Sequence, residues 1–216
     1  VDKLNHDDDV DGFIVQLPKG EHMDFIPGSY AQIKIPAYSM DYDKDIDKSL
    51  IGEEYLPAWQ KFGLFGLKCK NTEPTVRAYS MANYPAEGDR IMLTVRIATP
   101  PFKPKPQVGF QDVMPGIASS YIFTLKPGDK VIMSGPYGDF HPIFDSKREM
   151  MWVGGGAGMA PLRAQIMHMT RTLNCRDREM LRVFFFQTFK HEVNRVLEVL
   201  VVLAGFRRIY HFKQRR

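Results

Sequence analysis

Alternation of apolar and polar positions is the strongest pattern in the chain. Ala31, Ile33 and Ile35 alternate with Tyr30, Gln32 and Lys34, as expected of a strand with one buried face. The pair Pro27-Gly28 supplies a turn just before it. Ile91, Leu93, Val95 and Ile97 alternate with Met92, Thr94 and Arg96 in the same way, and Val131-Ile132-Met133 follows the turn Lys126-Pro127-Gly128-Asp129. Short strands between Pro/Gly turns predict an antiparallel β-barrel or sandwich over residues 1–147.

Two stretches interrupt this pattern. Residues 36–74 are acidic at first (Asp41, Asp43, Asp45, Asp47, Glu53, Glu54) and then aromatic (Tyr55, Trp59, Phe62, Phe65). They read as a long insertion with a short helix near Leu56 to Phe62. Thr99 to Pro106 holds four prolines in eight residues and is expected to be an extended loop. The pattern changes again at Glu149. Met150-Met151-Trp152-Val153 is a short apolar run, Gly154 to Gly158 is rich in glycine, and Ala160 to Leu173 has helical periodicity through Leu162, Ile166, Met169 and Leu173. Pro161 suits the first helical turn, where its missing N–H costs nothing. Strand, glycine loop and helix open an α/β nucleotide-binding domain, expected over residues 148–216. The fold class is therefore β followed by α/β.

Composition adds exclusions. With 44% hydrophobic and 25% charged residues among 216, disorder over the whole length is excluded. Two cysteines, Cys69 and Cys175, exclude a disulfide scaffold and a Cys-built metal site from this chain alone, and fit a reducing compartment. No apolar run approaches the length of a membrane span. The chain opens at Val1 with no signal-peptide pattern and reads as a piece of something longer. The net charge of +4 belongs to the end: residues 181–216 carry eight Lys/Arg against two Glu, and the rest is slightly acidic. That is not the basic, aromatic-studded face of a nucleic-acid binder.

Three short segments carry candidate chemistry. In Gly154-Gly155-Gly156-Ala157-Gly158 the glycines permit a tight turn and close backbone approach, and the following helix offers free N–H groups to a pyrophosphate. The spacing departs from the strict dinucleotide fingerprint, since Met159 stands where a third glycine belongs. A tight turn without a ligand is the alternative. In Arg77-Ala78-Tyr79-Ser80, strand geometry puts Arg77 and Tyr79 on one face and Ser80 on the other. A guanidinium can clamp phosphate, a tyrosine ring can cover a flat heteroaromatic and a serine can donate to a ring nitrogen. An ordinary exposed strand is the competing reading. In Pro115-Gly116-Ile117-Ala118-Ser119-Ser120, either serine could cap a helix whose N-terminus holds a phosphate, or cap it with no ligand.

Taken in order, Arg-x-Tyr-Ser, Gly-x-x-Ser, Gly-Pro-x-Gly-x-Phe (Gly135 to Phe140) and Gly-Gly-x-Gly-x-Ala-Pro resemble the ferredoxin–NADP⁺ reductase family. Within it, Thr75 to Pro85, Val95 to Pro101, Gly154 to Pro161 and the insertion Tyr38 to Phe65 are similar to the F subunits of sodium-translocating NADH:quinone reductases. The resemblance implies an FAD-binding β-barrel and a nicotinamide-binding α/β domain. It implies that Arg77 binds the FAD pyrophosphate, Tyr79 packs on the isoalloxazine and Ser80 sits near its N5. It further implies that Gly116, Ile117, Ala118 and Ser119 hold the pyrophosphate from the other side, with Val95 and Arg96 lining the flavin groove. Gly154, Gly155, Gly156, Ala157, Gly158, Met159 and Pro161 would receive the pyrophosphate of NADH. It also implies a ferredoxin-like neighbour with a [2Fe-2S] cluster, an anchor N-terminal to Val1, partner subunits of a ubiquinone-reducing membrane complex, and a place on the cytoplasmic face of the bacterial inner membrane.

After Met180 the resemblance stops. All 15 prolines precede residue 162, and residues 181–216 have no Asp and one glycine, Gly205. This end is expected not to complete a stable parallel sheet, so the nicotinamide domain is truncated. A divergent helix through Val193, Val196, Leu197 and Leu200 is the alternative. Two further functional readings stay open: the reductase component of a bacterial oxygenase, and a flavin-binding or assembly module without turnover of its own.

Overall fold

The alternating segments fold as strands because each can bury one face and solvate the other. The computed structural model describes residues 3–7, 10–146, 150–173, 181–188, 197–203 and 206–212, and the side chains of 13–146 and 150–173. In chain order the first strands are β1 (Lys3–Asp7), β2 (Val10–Gln16), β3 (Tyr30–Ile35), β4 (Tyr38–Asp41), β5 (Lys68–Asn71), β6 (Thr75–Ser80), β7 (Arg90–Arg96) and β8 (Ile132–Tyr137). One antiparallel sheet has the order β1-β2-β7 and another β6-β3-β8, and a bridge between Met81 and Leu93 links them. Phe13, Ala31, Ile33, Ile91, Leu93 and Val95 interleave in one core between the sheets. β3 and β7 match the alternation. β1 and β2 were not anticipated, because Ile14 between Phe13 and Val15 blurs the period of β2.

The insertion closes on itself. β4 pairs antiparallel with β5, from Tyr38↔Asn71 to Asp41↔Lys68. Between them lie α1 (Tyr42–Asp45), started by the Asp41 carboxylate accepting from Asp43 N–H, and α2 (Leu56–Phe62), the expected helix. Pro57 fits the first turn of α2, and Gly63 ends it with a left-handed φ of 73°. Acidic Asp43, Asp45, Glu53 and Glu54 are exposed. Met40, Tyr42, Ile46, Ile51, Trp59, Leu64 and Cys69 turn inward and form a second core with Ile97 and Phe123. Phe123 belongs to α3 (Ile117–Thr124), which is apolar on two sides because it separates the two cores.

β9 (Met150–Gly154) leads through a tight turn at Gly156–Gly158 into α4 (Met159–Met167), and the helix continues as a wider π-turn to Thr172. Leu162 and Met169 bury against Trp152, while Leu173, expected on the same face, is 41% exposed. β10 (Leu181–Thr188) lies parallel to β9, but β11 (Leu197–Leu203) and β12 (Phe206–Phe212) follow antiparallel, giving the order β12-β11-β10-β9. This end was expected not to complete a parallel sheet; among the described residues one parallel strand, β10, is added and an antiparallel meander follows. The alternative helix is overturned at Leu197 and Leu200, which lie in β11; Val193 and Val196 fall outside the described residues. A short apolar run has no periodicity that separates strand from helix. The expected domain boundary at 147/148 also falls outside the described residues. Among those described, no helix is long and apolar enough to cross a membrane, and no His/Cys/Asp/Glu group could hold a metal.

Candidate functional site

The first turn of α3 is built to leave its N–H groups bare. Gly116 is the N-cap, and no side chain caps the helix. The structure overturns the expected serine cap. Ser119 Oγ accepts from Ala98 N–H at 3.0 Å and donates to Gly116 O at 3.1 Å, while Ser120 Oγ donates to Gly116 O at 2.7 Å. Neither hydroxyl accepts from the N–H groups of the first turn; they are engaged by Ala98 N–H and Gly116 O. Gly116 N–H donates to Ala98 O at 2.7 Å. A Cβ at Gly116 would sit 2.6 Å from Ala98 Cβ and 2.9 Å from Ser119 Oγ, so only glycine fits. The N–H groups of Ile117, Ala118 and Ser119 have no intrahelical partner and lie at the positive end of the helix dipole, a ready anion site. Ala118 and Ser119 are buried, so their side chains serve the fold and only their backbone can serve a ligand.

β6 is an edge strand of its sheet. Arg77 lies opposite Ile33 and Tyr79 opposite Ala31, which puts both on the face turned toward the core, whereas Ser80 lies opposite Tyr30 on the other. Tyr79 packs, half-buried, on the same cluster as Ile117 of α3. Burial pushes its phenol up to about 12, and the nearby Arg77 charge counters this. Arg77 itself is exposed, with Nη1 donating to Thr75 Oγ1 and Val76 O at 2.8 Å each. Its hydrogen bonds are local, and none of them reaches α3. Arg96 is exposed at the end of β7. Val95, expected to line a groove, is 1% exposed in the core, since alternation along β7 turns it inward; only its backbone remains for a ligand.

The glycine loop divides its labour. A Cβ on Gly154 would lie 2.5 Å from Leu162 Cδ1 and 3.1 Å from Met159 Sδ, so this glycine lets strand and helix close up. Gly156, at φ 54°, and Gly158 would meet nothing within 4 Å, which leaves the crest open to close approach. Gly155 is extended ahead of the turn, and Ala157 is half-buried within it. Gly158 caps α4 without a side-chain bond. Met159 packs near Trp152 and Pro161 is buried, so both serve packing.

A joint fixes this loop against the sheets. Arg163 of α4 donates through Nη2 to Glu87 Oε1 at 2.8 Å and through Nη1 to Glu87 Oε2 at 2.9 Å and Ala82 O at 2.7 Å. Buried Gln165 accepts from Trp152 Nε1 at 2.8 Å and donates to Phe140 O at 2.6 Å. A Cβ on Gly28 would collide with that same carbonyl, so the turn at Pro27-Gly28 is part of the joint. A cleft of about 610 Å³ beside it, lined by Phe140, His141, Trp152, Val153, Leu162 and Gln165, holds none of the expected ligand residues. Sequence reasoning missed Tyr38, Tyr42, Arg163 and Glu87, and read Ser120 only as a possible helix cap. Nothing in the spacing of one sequence marks them, because each acts across more than 60 positions or within an unfamiliar insertion.

Residues 61–141 match the oxidoreductase FAD-binding domain. The chain is 50% identical over 161 residues to the F subunit of the Na⁺-translocating NADH-quinone reductase of Idiomarina loihiensis, covering 74% of this chain and 37% of that protein. It is 48% identical over 164 residues to the F subunit of the Yersinia enterocolitica enzyme, covering 76% and 38%. The flavohem-like FAD/NAD-binding domain of nitric oxide dioxygenase from Vibrio cholerae superposes with a TM-score of 0.57 at 20% identity, covering 89% of this chain and 62% of that one. The chain spans little more than a third of the length of the curated relatives it matches. Over about three quarters of its own length it is a homologue of the F subunits of Na⁺-translocating NADH-quinone reductases, carrying an FAD-binding fold of the ferredoxin–NADP reductase type.

Proposed function

We propose that the chain is an FAD-binding electron-transfer module that takes a hydride from NADH and delivers electrons to a [2Fe-2S] cluster in a ferredoxin-like neighbour. Its setting is a sodium-pumping membrane quinone reductase on the cytoplasmic face of the bacterial inner membrane, among the other subunits of that complex. The observation that carries this reading is the uncapped N-terminus of α3 at Gly116, with Tyr79 and Ile117 on one cluster. Residues 1–147 form the flavin-binding unit and residues 148–216 the start of the nicotinamide-binding one.

Bound FAD supplies a ring that accepts a hydride and releases electrons singly. The chain's own part is to bind and orient. The N–H groups of Ile117, Ala118 and Ser119 hold pyrophosphate on one side, and Arg77 adds charge from the other. Tyr79 offers a ring face and stays protonated, since burial holds its phenol near 12. Ser80 donates near the reacting edge, and Arg96 with the Val95 backbone borders the groove. The open crest of Gly156 and Gly158 admits a second pyrophosphate. No side chain needs to move a proton.

One observation favours a module with little turnover of its own. β11 and β12 add antiparallel where a nicotinamide domain needs further parallel strands. An absorption spectrum of the purified protein tests flavin binding, and bleaching on addition of NADH tests turnover. A protein that retains no flavin contradicts the proposal.

A further inference from the structure

Polar atoms of the insertion's Tyr38, Tyr42 and Cys69 converge on the head of α3, at Ile117 O, Ser120 Oγ and Pro115 O. Tyr42 is inaccessible to solvent, and its Oη lies 2.7 Å from Ser120 Oγ. Since the Ser120 proton goes to Gly116 O, Tyr42 is the donor in that pair. Tyr38 Oη donates to Ile117 O. The thiol of buried Cys69 points at Pro115 O, 3.8 Å away, with its Sγ 3.4 Å from Tyr38 Oη. The insertion thus holds the carbonyls of Pro115 and Ile117 directly, through Cys69 and Tyr38, and that of Gly116 through Ser120, whose hydroxyl bridges Tyr42 Oη to Gly116 O.

A peptide unit is planar, with its C=O and N–H pointing opposite ways. Holding the carbonyls of Pro115, Gly116 and Ile117 therefore aims the N–H groups of Gly116, Ile117 and Ala118. The last two are donors of the uncapped first turn. The apolar packing agrees, because Trp59 of α2 meets Phe123 of α3 with ring centroids 6.1 Å apart. Burial pushes the Tyr42 phenol up to about 12 and pushes Tyr38 higher as well, so both remain donors across any working pH.

We propose that Tyr38, Tyr42 and Cys69 are positioning residues through which the insertion aims the α3 turn at the FAD pyrophosphate. This rests on the flavin reading above and gives the insertion a role in cofactor selectivity. The donors act on phosphate alone, so they discriminate FAD from a flavin lacking phosphate.

The test uses the purified chain with Tyr42→Phe, Tyr38→Phe and Cys69→Ala, titrated with FAD and with riboflavin, and ³¹P NMR of bound FAD. Each variant is expected to bind FAD about three- to tenfold more weakly, the effect of one net hydrogen bond. Riboflavin affinity should match the parent, and the bound ³¹P resonances should move. Unchanged FAD affinity and ³¹P shifts in all three variants would overturn the proposal. So would riboflavin weakening in step with FAD, which signals a general loss of fold; Cys69→Ala, the mildest change, guards against an unfolded tyrosine variant. A parent that binds no FAD would instead refute the flavin reading itself, a failure visible before any variant is made.

Discussion

Arg163 and Glu87 meet as a planar, two-bond pair across the joint between α4 and the sheets, at 2.8 and 2.9 Å. The same guanidinium also donates to Ala82 O. Glu87 in turn accepts from Tyr84 N–H at 3.0 Å, so one carboxylate anchors both sides of the contact. Glu87→Gln should weaken the joint by about 1 kcal/mol in urea unfolding, a figure kept small because the guanidinium is partly exposed. Flavin bleaching by NADH should slow more than FAD affinity falls, since orientation is what the pair supplies. The exchange Glu87→Arg with Arg163→Glu should recover part of the loss, and no recovery would argue against a specific pair.

The pair also predicts a pH effect. Burial pushes the Glu87 carboxyl up, but the Arg163 hydrogen bond, the Tyr84 N–H and the charges of Arg163 and Arg90 together outweigh it, leaving Glu87 below its ordinary 4.5. A depressed carboxylate binds fewer protons folded than unfolded, so its stabilisation is present above that value and disappears as pH falls through the folded one. Melting temperature against pH should therefore fall below about pH 4.5 in the parent and fall less in Glu87→Gln, a difference set by that lowered carboxyl. Parallel curves would contradict this.

Gly116→Ala tests the close approach at the head of α3. The added methyl would meet Ala98 Cβ at 2.6 Å, and neither backbone can retreat without breaking the 2.7 Å bond from Gly116 N–H to Ala98 O. A loss of about 1–3 kcal/mol in flavin-free stability is expected, typical of overpacking, together with loss of FAD. Retention of FAD at the parental level would show that the turn tolerates displacement.

Strands with a clean period were legible in the sequence: Ile91, Leu93 and Val95 are buried as their alternation requires. So was α2, where Pro57 and Gly63 punctuate an apolar stretch. β11 was not legible, because Leu-Glu-Val-Leu-Val-Val-Leu fits strand and helix equally until a neighbour pairs with it. At the site, Gly116 and the glycine loop were visible as local chemistry. The serines misled, because their hydroxyls bond Ala98 N–H and Gly116 O and not the free N–H groups of the first turn. The Tyr42–Ser120 contact joins residues 78 positions apart and leaves no local trace.

NADH should reduce this chain poorly. The crest at Gly156 and Gly158 is open, but the sheet beyond β10 turns antiparallel, so among the described residues no later parallel strand is there to grip the nicotinamide. Stopped-flow bleaching of the FAD-loaded chain should be at least about a hundredfold slower than that of one of its full-length relatives. Equal rates would mean that the meander builds a working pocket.

Above all, β6 and the head of α3 should together hold FAD, and the visible spectrum of the purified protein tests this most directly. The parent should show oxidised-flavin absorption that survives gel filtration. Arg77→Ala should bind FAD more weakly by roughly 1.5–3 kcal/mol, the range for a hydrogen bond to a charged group. A colourless parent that takes up no FAD, or an Arg77→Ala variant that copurifies with as much FAD as the parent, would contradict the assignment.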